Sequence, residues 1–154
     1  MTKLDSHHQS LMQALSQAFI TIPFNQLLGL RLDHFDEKQV IIGFQMKNEL
    51  VGNFLYGILH GGVIASVLDM AGGMTVMSAV LHDNLDKTQE EIAMLLGKVS
   101  TIDLHLSYLR PGKGEFFKVE ANLIKKGNHI NFAHMSLYNE KDQLIASAQG
   151  TYSI

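Results

Sequence analysis

Apolar side chains recur along this chain with two different periods, and the change of period outlines its elements. Between residues 5 and 19, apolar positions return at helical spacing with polar residues between them, which predicts an N-terminal helix. Alternation between residues 38 and 48 predicts a strand. Residues 49–57 then predict a glycine-containing loop, and a long apolar helix begins at about Gly61.

The second half of the chain is dominated by alternation with period two. Residues 82–98 are polar and then amphipathic, which is typical of a loop with a short surface helix. Four alternating segments follow, separated by the turn-forming stretches "RPGKG", "KKGN" and "YNEKDQ". The four predicted strands are "STIDLHLSYL", "EFFKVEANLIKK", "HINFAHMSLY" and "LIASAQGTYSI".

These elements predict an α+β fold. Short turns between successive strands predict antiparallel neighbours, and one polar face per strand predicts a sheet with one solvated side. Only the apolar helix can cover the other side, so we expect a curved antiparallel sheet wrapped around one central helix. The length of 154 residues predicts one domain over residues 1–154, in which residues 1–22 form the N-terminal helix and lead-in.

Composition narrows the functional classes. The formal net charge of -3 gives no basic surface for nucleic acid, and the lack of cysteine excludes disulfides, cysteine nucleophiles and thiolate metal sites. Polar and charged residues near the N-terminus stand where a signal peptide needs an apolar run, so we expect a cytoplasmic protein. The run 61–81 is long enough to cross a bilayer, but its four glycines and central Asp69 favour a buried helix over a membrane span.

Asp69 is the one carboxylate between Gly57 and Leu81, and a charge in that setting needs a cause. Three interpretations are open. Asp69 is a core aspartate that is hydrogen-bonded to backbone or serine, or it is a metal ligand, or it is a catalytic base or nucleophile. Paired ligands on a helix usually lie at positions i and i+4, whereas His60 and Asp69 are nine residues apart, so we expect no metal site.

The "HGG" motif upstream of Asp69 favours the catalytic interpretation. Gly61 and Gly62 allow the backbone to approach a ligand, and the first turn of a helix offers free N–H groups to an oxyanion. Eight residues separate Gly61 from Asp69, about 12 Å of helix rise, so one chain cannot place both at one carbonyl. Two antiparallel copies of the helix about a twofold axis can, which predicts an active site at a homodimer interface.

The segment "HGGVIASVLDMAGG" followed by "STIDLHLSYLRPGKGE" resembles the PaaI-type hotdog-fold thioesterases, with the likeness running from about Pro23 to Tyr152. Within that family, "PFNQLLG", "VGNF" and "YLRPG" are most similar to the YigI-like branch of medium- and long-chain acyl-CoA thioesterases. The resemblance implies a hotdog fold, a homodimer or a tetramer of two dimers, and hydrolysis of fatty acyl-CoA. It implies no cofactor other than the coenzyme A of the substrate.

The resemblance also implies roles for single residues. Asp69 corresponds to the catalytic carboxylate, Gly61 to the backbone N–H that polarises the thioester carbonyl, and His60 to the residue that shapes this oxyanion hole. Thr101 occupies a position that in related enzymes often holds a serine or threonine near the attacking water. The residues alone are equally consistent with structural roles. His60 fits a helix cap, and Thr101 fits an ordinary strand residue.

The family's usual asparagine, six residues before the histidine, is replaced here. The chain has Phe54 at that position, with Asn53 beside it, so we expect Asn53 to take the role. Gly62 and a basic group are expected to bind coenzyme A, since arginine and lysine suit its phosphates. That group comprises Arg110, Lys113, Lys125 and Lys126. Apolar side chains that either line an acyl tunnel or belong to the core are Phe54, Leu55, Met70, Met74 and Met77.

Three other functions fit the same pattern in part. An aromatic acyl-CoA thioesterase would use the same site. A hotdog dehydratase pairs a histidine with a helix carboxylate, but near a loop motif that this chain lacks. A non-catalytic acyl-CoA sensor would usually carry an additional effector segment.

Overall fold

The structure, a computed structural model, describes residues 3–154, with side chains from residue 6 onward. The helices are α1 (Lys3–Thr21), α2 (Pro23–Leu28), α3 (Gly61–His82) and α4 (Gln89–Leu96). The strands are β1 (Arg31–Phe35), β2 (Gln39–Gln45), β3 (Val51–Asn53), β4 (Ile58–Leu59), β5 (Ser100–Tyr108), β6 (Phe116–Lys125), β7 (Ile130–Asn139) and β8 (Leu144–Ser153).

The main sheet is antiparallel and has the strand order β1-β2-β6-β7-β8-β5. Helix α3 packs against strands of this sheet from β2 to β5. Alternate residues of the central strands, such as Val40, Ile42 and Val119, are fully buried beneath the helix. The predicted antiparallel sheet around one apolar helix is therefore confirmed.

The region before α3 contains more strands than the sequence pattern predicted. Where one strand was expected, β1 and β2 form a hairpin. The predicted loop 49–57 contains β3, which pairs with β4 in a separate two-stranded sheet. This small sheet fixes the chain just before α3, because the His60 N–H donates to the Leu50 carbonyl across 2.8 Å.

The expectation that short turns join neighbouring strands is wrong for β5 and β6. Strand β5 pairs with β8 at the edge of the sheet, so three strand spacings, about 14 Å, separate β5 from β6. The connection 109–115 crosses that gap along the end of the sheet. It is held there because the Leu59 N–H donates to the Gly112 carbonyl across 2.9 Å.

Helix α3 is apolar on all sides, but it is not buried on all sides. It is long and apolar enough to cross a membrane by length and composition, yet 56% of its most apolar window is buried inside the fold. Between residues 69 and 81, four residues are only partly buried, and the rest of that stretch is buried. These four are Asp69, Met70, Gly73 and Met77.

Candidate active site

The "HGG" motif forms the N-terminus of α3. His60 is the N-cap residue, and its Nδ1 accepts a hydrogen bond from the Gly62 N–H across 2.8 Å. The proton of the neutral ring therefore lies on Nε2. His60 accepts from the N–H of Gly62, not from that of Gly61. The Gly61 N–H has no acceptor within residues 3–154. The side chain of His60 thus organises the first turn and leaves one backbone donor free, as an oxyanion hole requires.

The carbonyl of Gly61 is also engaged. The Tyr108 hydroxyl donates to it across 2.8 Å, which joins the end of β5 to the start of α3. Close packing constrains the same turn, because a Cβ on Gly52 would lie 2.3 Å from the His60 Cα. The turn is therefore fixed by β3 on one side and by β5 on the other.

The Asp69 carboxylate is held by one of its two oxygens. The Thr101 hydroxyl donates to Asp69 Oδ1 across 2.9 Å. The Tyr152 hydroxyl lies 3.4 Å from the same Oδ1 and 3.2 Å from the Asp69 backbone carbonyl. No hydrogen-bond partner of Oδ2 occurs among the side chains described, so this oxygen is available to a water or a substrate.

Tyr152 was not singled out from the sequence. Its side chain is fully buried, and its ring lies where Gly72 and Gly150 leave room for it. A Cβ on Gly72 would lie 2.0 Å from the Tyr152 hydroxyl oxygen, and a Cβ on Gly150 would lie 2.6 Å from it. Burial, followed by the charge of Asp69, raises the pKa of the Tyr152 hydroxyl, so this group remains a donor at neutral pH.

Gly61 and Asp69 lie on one uninterrupted helix. Their eight-residue separation therefore corresponds to about 12 Å along its axis. Asp69 is half-buried, and its bond to Thr101 joins it to β5, the strand at the edge of the main sheet. A single chain thus presents an acid and an oxyanion donor at two separate positions.

Asn53 is engaged in local structure. Its Oδ1 accepts from the Leu55 N–H across 3.0 Å, and its carbonyl accepts from the N–H groups of Tyr56 and Gly57. These bonds form the turn between β3 and β4. The structure therefore gives Asn53 a turn-forming role in the chain, and Phe54 next to it is 88% exposed.

The four predicted basic residues do not form one cluster in a single chain. Arg110 and Lys113 lie in the connection 109–115, at the end of the sheet that carries the "HGG" turn. The Lys126 ammonium pairs with the Asp83 carboxylate, beyond the other end of α3. The helix between these ends is about 33 Å long, so Lys125 and Lys126 are remote from Arg110.

The apolar residues expected to line a tunnel fall into three groups. Met74 is buried in the core, whereas Phe54 and Leu55 are exposed in the loop before α3. Met70 and Met77 lie on the accessible side of α3, the same side as Asp69.

Comparison with known proteins identifies the family. A family model described as the thioesterase superfamily matches residues 56–146. The medium/long-chain acyl-CoA thioesterase YigI of Escherichia coli (strain K12) is 38% identical over 133 residues, 86% of each chain. The chain belongs to the thioesterase superfamily.

Solved structures of this superfamily share the fold. A Shewanella oneidensis protein related to the thioesterase superfamily has a TM-score of 0.89 and 37% identity, covering 96% of this chain and 97% of its own. A thioesterase family protein from Silicibacter pomeroyi, 23% identical, has a TM-score of 0.75 over 93% of this chain and 96% of its own, and supports the fold alone. The predicted hotdog fold is confirmed.

Proposed function

We propose that this superfamily member hydrolyses medium- or long-chain fatty acyl-CoA to a free acid and coenzyme A. The observation that carries the proposal is the Asp69 carboxylate, whose Oδ1 is held by hydroxyls from β5 and β8 while Oδ2 remains available. Similarity to YigI, which is named for that activity, supports the substrate class.

Asp69 supports two chemical routes through Oδ2. In the first, the carboxylate removes a proton from water as the oxygen of that water attacks the thioester carbonyl carbon. In the second, Oδ2 itself attacks the carbonyl carbon and expels the thiolate, and water then hydrolyses the mixed anhydride. Both routes end with a free acid and a thiol, and both need the carboxylate in the orientation set by Thr101.

The oxyanion that develops in either route requires a donor. The Gly61 N–H is free for this role at the positive end of α3, and His60 holds the turn that presents it. The departing thiolate has an ordinary pKa of about 8.5, so it leaves without a strong general acid. The residues proposed for catalysis are therefore Asp69, Gly61, His60 and Thr101.

We propose that the site is completed by a twofold partner. The distance along α3 separates Gly61 from Asp69 in one chain, whereas antiparallel helices place Gly61 of one protomer beside Asp69 of the other. Two surfaces of the isolated chain support such pairing. The side chains of Phe54, Leu55 and Tyr56 form an exposed apolar group before α3, and β5 has an unpaired edge.

The end of the sheet near the "HGG" turn offers basic groups for the coenzyme A phosphates. Arg110 and Lys113 are exposed there, and Gly62 belongs to the same turn. Lys125, Lys126 and Asn53 remain predictions from the resemblance, and contacts within the chain support no role for them in this site. The cytoplasmic location and the absence of a cofactor likewise remain predictions.

A panel of acyl-CoA esters tests the proposal, with release of free thiol as the readout. We expect turnover of medium- and long-chain esters by the wild type and its loss in Asp69→Asn. Binding of acyl-CoA without thiol release would instead indicate a sensor. Elimination of water from a β-hydroxyacyl ester would indicate a dehydratase. A preference for aromatic esters would indicate an aromatic acyl-CoA thioesterase.

A further inference from the structure

The accessible side of α3 forms a continuous stripe that begins at the carboxylate. Asp69, Gly73 and Met77 follow one another at intervals of four residues, and each is only partly buried. Side chains at this spacing lie on neighbouring turns of one helix face. The stripe therefore runs from the reacting position toward the C-terminal half of α3.

Gly73 lies in the middle of the stripe, and packing within the chain does not require a glycine there. A Cβ at this position would meet only the Tyr152 ring, at 3.8 Å, which is ordinary contact. Its neighbour Gly72 differs, because a Cβ there would overlap Tyr152. A glycine inside a helix is less stable than alanine by about 1 kcal/mol, so Gly73 keeps an open space beside Asp69 at a cost to helix stability.

Met77, at the far end of the stripe, lines a cavity of about 340 Å³ between α1, α3 and α4. Its walls are almost wholly apolar. They include Ala14, Leu15, Phe19, Met77, Ile92 and Leu96.

We infer that this cavity receives the alkyl tail of the acyl group, which passes from Asp69 over Gly73 to Met77. The inference rests on the proposed function and assigns a site for the tail that distinguishes long from short acyl chains. An alkyl chain matches the site because it has no polar atoms to satisfy, and each methylene that leaves water adds binding free energy. The carbonyl remains at Asp69 while the tail extends about 12 Å along the helix.

Binding of non-hydrolysable S-alkyl-CoA thioethers tests the inference without needing turnover. Butyl, octyl and dodecyl thioethers are titrated into the full chain by calorimetry. For the wild type, affinity should rise with chain length by up to about fourfold per buried methylene. Ala14→Phe fills the cavity and should lower dodecyl affinity by about tenfold or more while leaving butyl affinity unchanged.

Two further variants complete the test: one blocks the stripe between Asp69 and Met77, and the other is a control for Ala14→Phe. Gly73→Leu places a side chain on the stripe at a position where a Cβ makes only ordinary contact with Tyr152, and it should also remove the preference for the dodecyl thioether. Gln13→Phe adds the same ring as Ala14→Phe on the exposed side of α1, away from the cavity walls, and should bind as the wild type does. Thermal unfolding of each variant confirms that it is folded.

The outcomes distinguish this inference from the proposed function. A dodecyl preference that survives in both Ala14→Phe and Gly73→Leu overturns the tail site even where the wild type hydrolyses acyl-CoA. A preference that both variants abolish supports the tail site, including the case in which the wild type releases no thiol and the proposed function fails.

Discussion

The Thr101 hydroxyl donates to Asp69 Oδ1 across 2.9 Å, and this bond joins the edge strand β5 to the central helix. Thr101 lies on the exposed part of β5, where a threonine has no packing role to fill. The bond restrains the rotation of the carboxylate about its Cβ–Cγ axis, and Oδ2 has no hydrogen bond to the residues that the structure describes. An apparently ordinary strand residue thus holds one oxygen of Asp69 and leaves the other for the proposed chemistry.

Asp69→Asn is expected to fold and to lose turnover. The amide oxygen of asparagine can still accept from Thr101 and Tyr152, so the packing around position 69 is retained. The amide is neither a base nor a nucleophile, and we expect thiol release to fall by about 10²–10⁴-fold. Initial rates on a medium-chain ester, with thermal unfolding as the folding control, measure this. Activity within a few-fold of wild type would contradict the role of Asp69.

Thr101→Val should lower kcat more than it changes KM. Valine keeps the shape of the side chain but cannot donate to Asp69, and loss of one hydrogen bond to a charged group is worth about 1.5–3 kcal/mol. Thr101→Ser retains the hydroxyl and should recover most of the rate. A valine variant as active as the wild type, beside a serine variant that loses activity, would show that the methyl group, and not the hydrogen bond, matters.

Tyr152 should limit stability at alkaline pH. Burial and the charge of Asp69 raise the pKa of its hydroxyl, so the fold favours the neutral form. The raised pKa therefore adds to the free energy of unfolding. This stabilisation is complete below the unfolded-state pKa of about 10 and is lost as pH rises above it. In urea unfolding, Tyr152→Phe should lose less stability than wild type between about pH 9 and pH 11. Tyr138→Phe, at a partly buried tyrosine of β7 outside the proposed site, is the matched control and should follow the wild type.

The two adjacent glycines of α3 should respond in opposite ways to alanine. Gly72→Ala places a methyl group 2.0 Å from the buried Tyr152 hydroxyl oxygen and should destabilise the fold by about 1–3 kcal/mol. Gly73→Ala meets no such contact and should stabilise α3 by about 0.5–1 kcal/mol. Urea unfolding of both variants measures the difference. Equal effects at the two positions would contradict the packing described for Tyr152.

The sequence predicts those features that depend on local periodicity. The long apolar helix and the strands after it follow from spacing, and Asp69 stands out because it interrupts an apolar run. Strand order does not follow in the same way. Strand β5 lies at the sheet edge by pairing with β8, and the connection 109–115 that follows it is tied to β4; both are contacts between residues far apart in sequence.

Tyr152 shows why part of the site was missed. Along the sequence, it lies 83 residues from Asp69, and nothing in its local pattern distinguishes it from a buried strand residue. Its contact arises from the position of β8 under α3 and from the space left by Gly72. A buried hydroxyl opposite a glycine on the acid-bearing helix is a signal that only the folded chain provides.

A mixture of two inactive variants tests whether the site is shared between protomers. Gly61→Pro removes the proposed oxyanion donor and is compatible with the start of α3, because proline is tolerated at the first position of a helix and the extended backbone of His60 suits a following proline. A Cβ there meets the Tyr108 hydroxyl oxygen at 3.3 Å, and that side chain is more than half exposed and can yield. Alone, Gly61→Pro should lose about 10²–10³-fold in kcat.

Co-expressed with Asp69→Asn under a different tag, Gly61→Pro should regain activity. Random pairing makes half of the dimers mixed, and each mixed dimer has one site with both defects and one site with neither. The mixture should therefore reach about a quarter of wild-type activity, and the purified mixed dimer about half. If Gly61 and Asp69 of the same chain formed each site, no pairing would restore an intact site, and the mixture would show only the average of the two inactive parents.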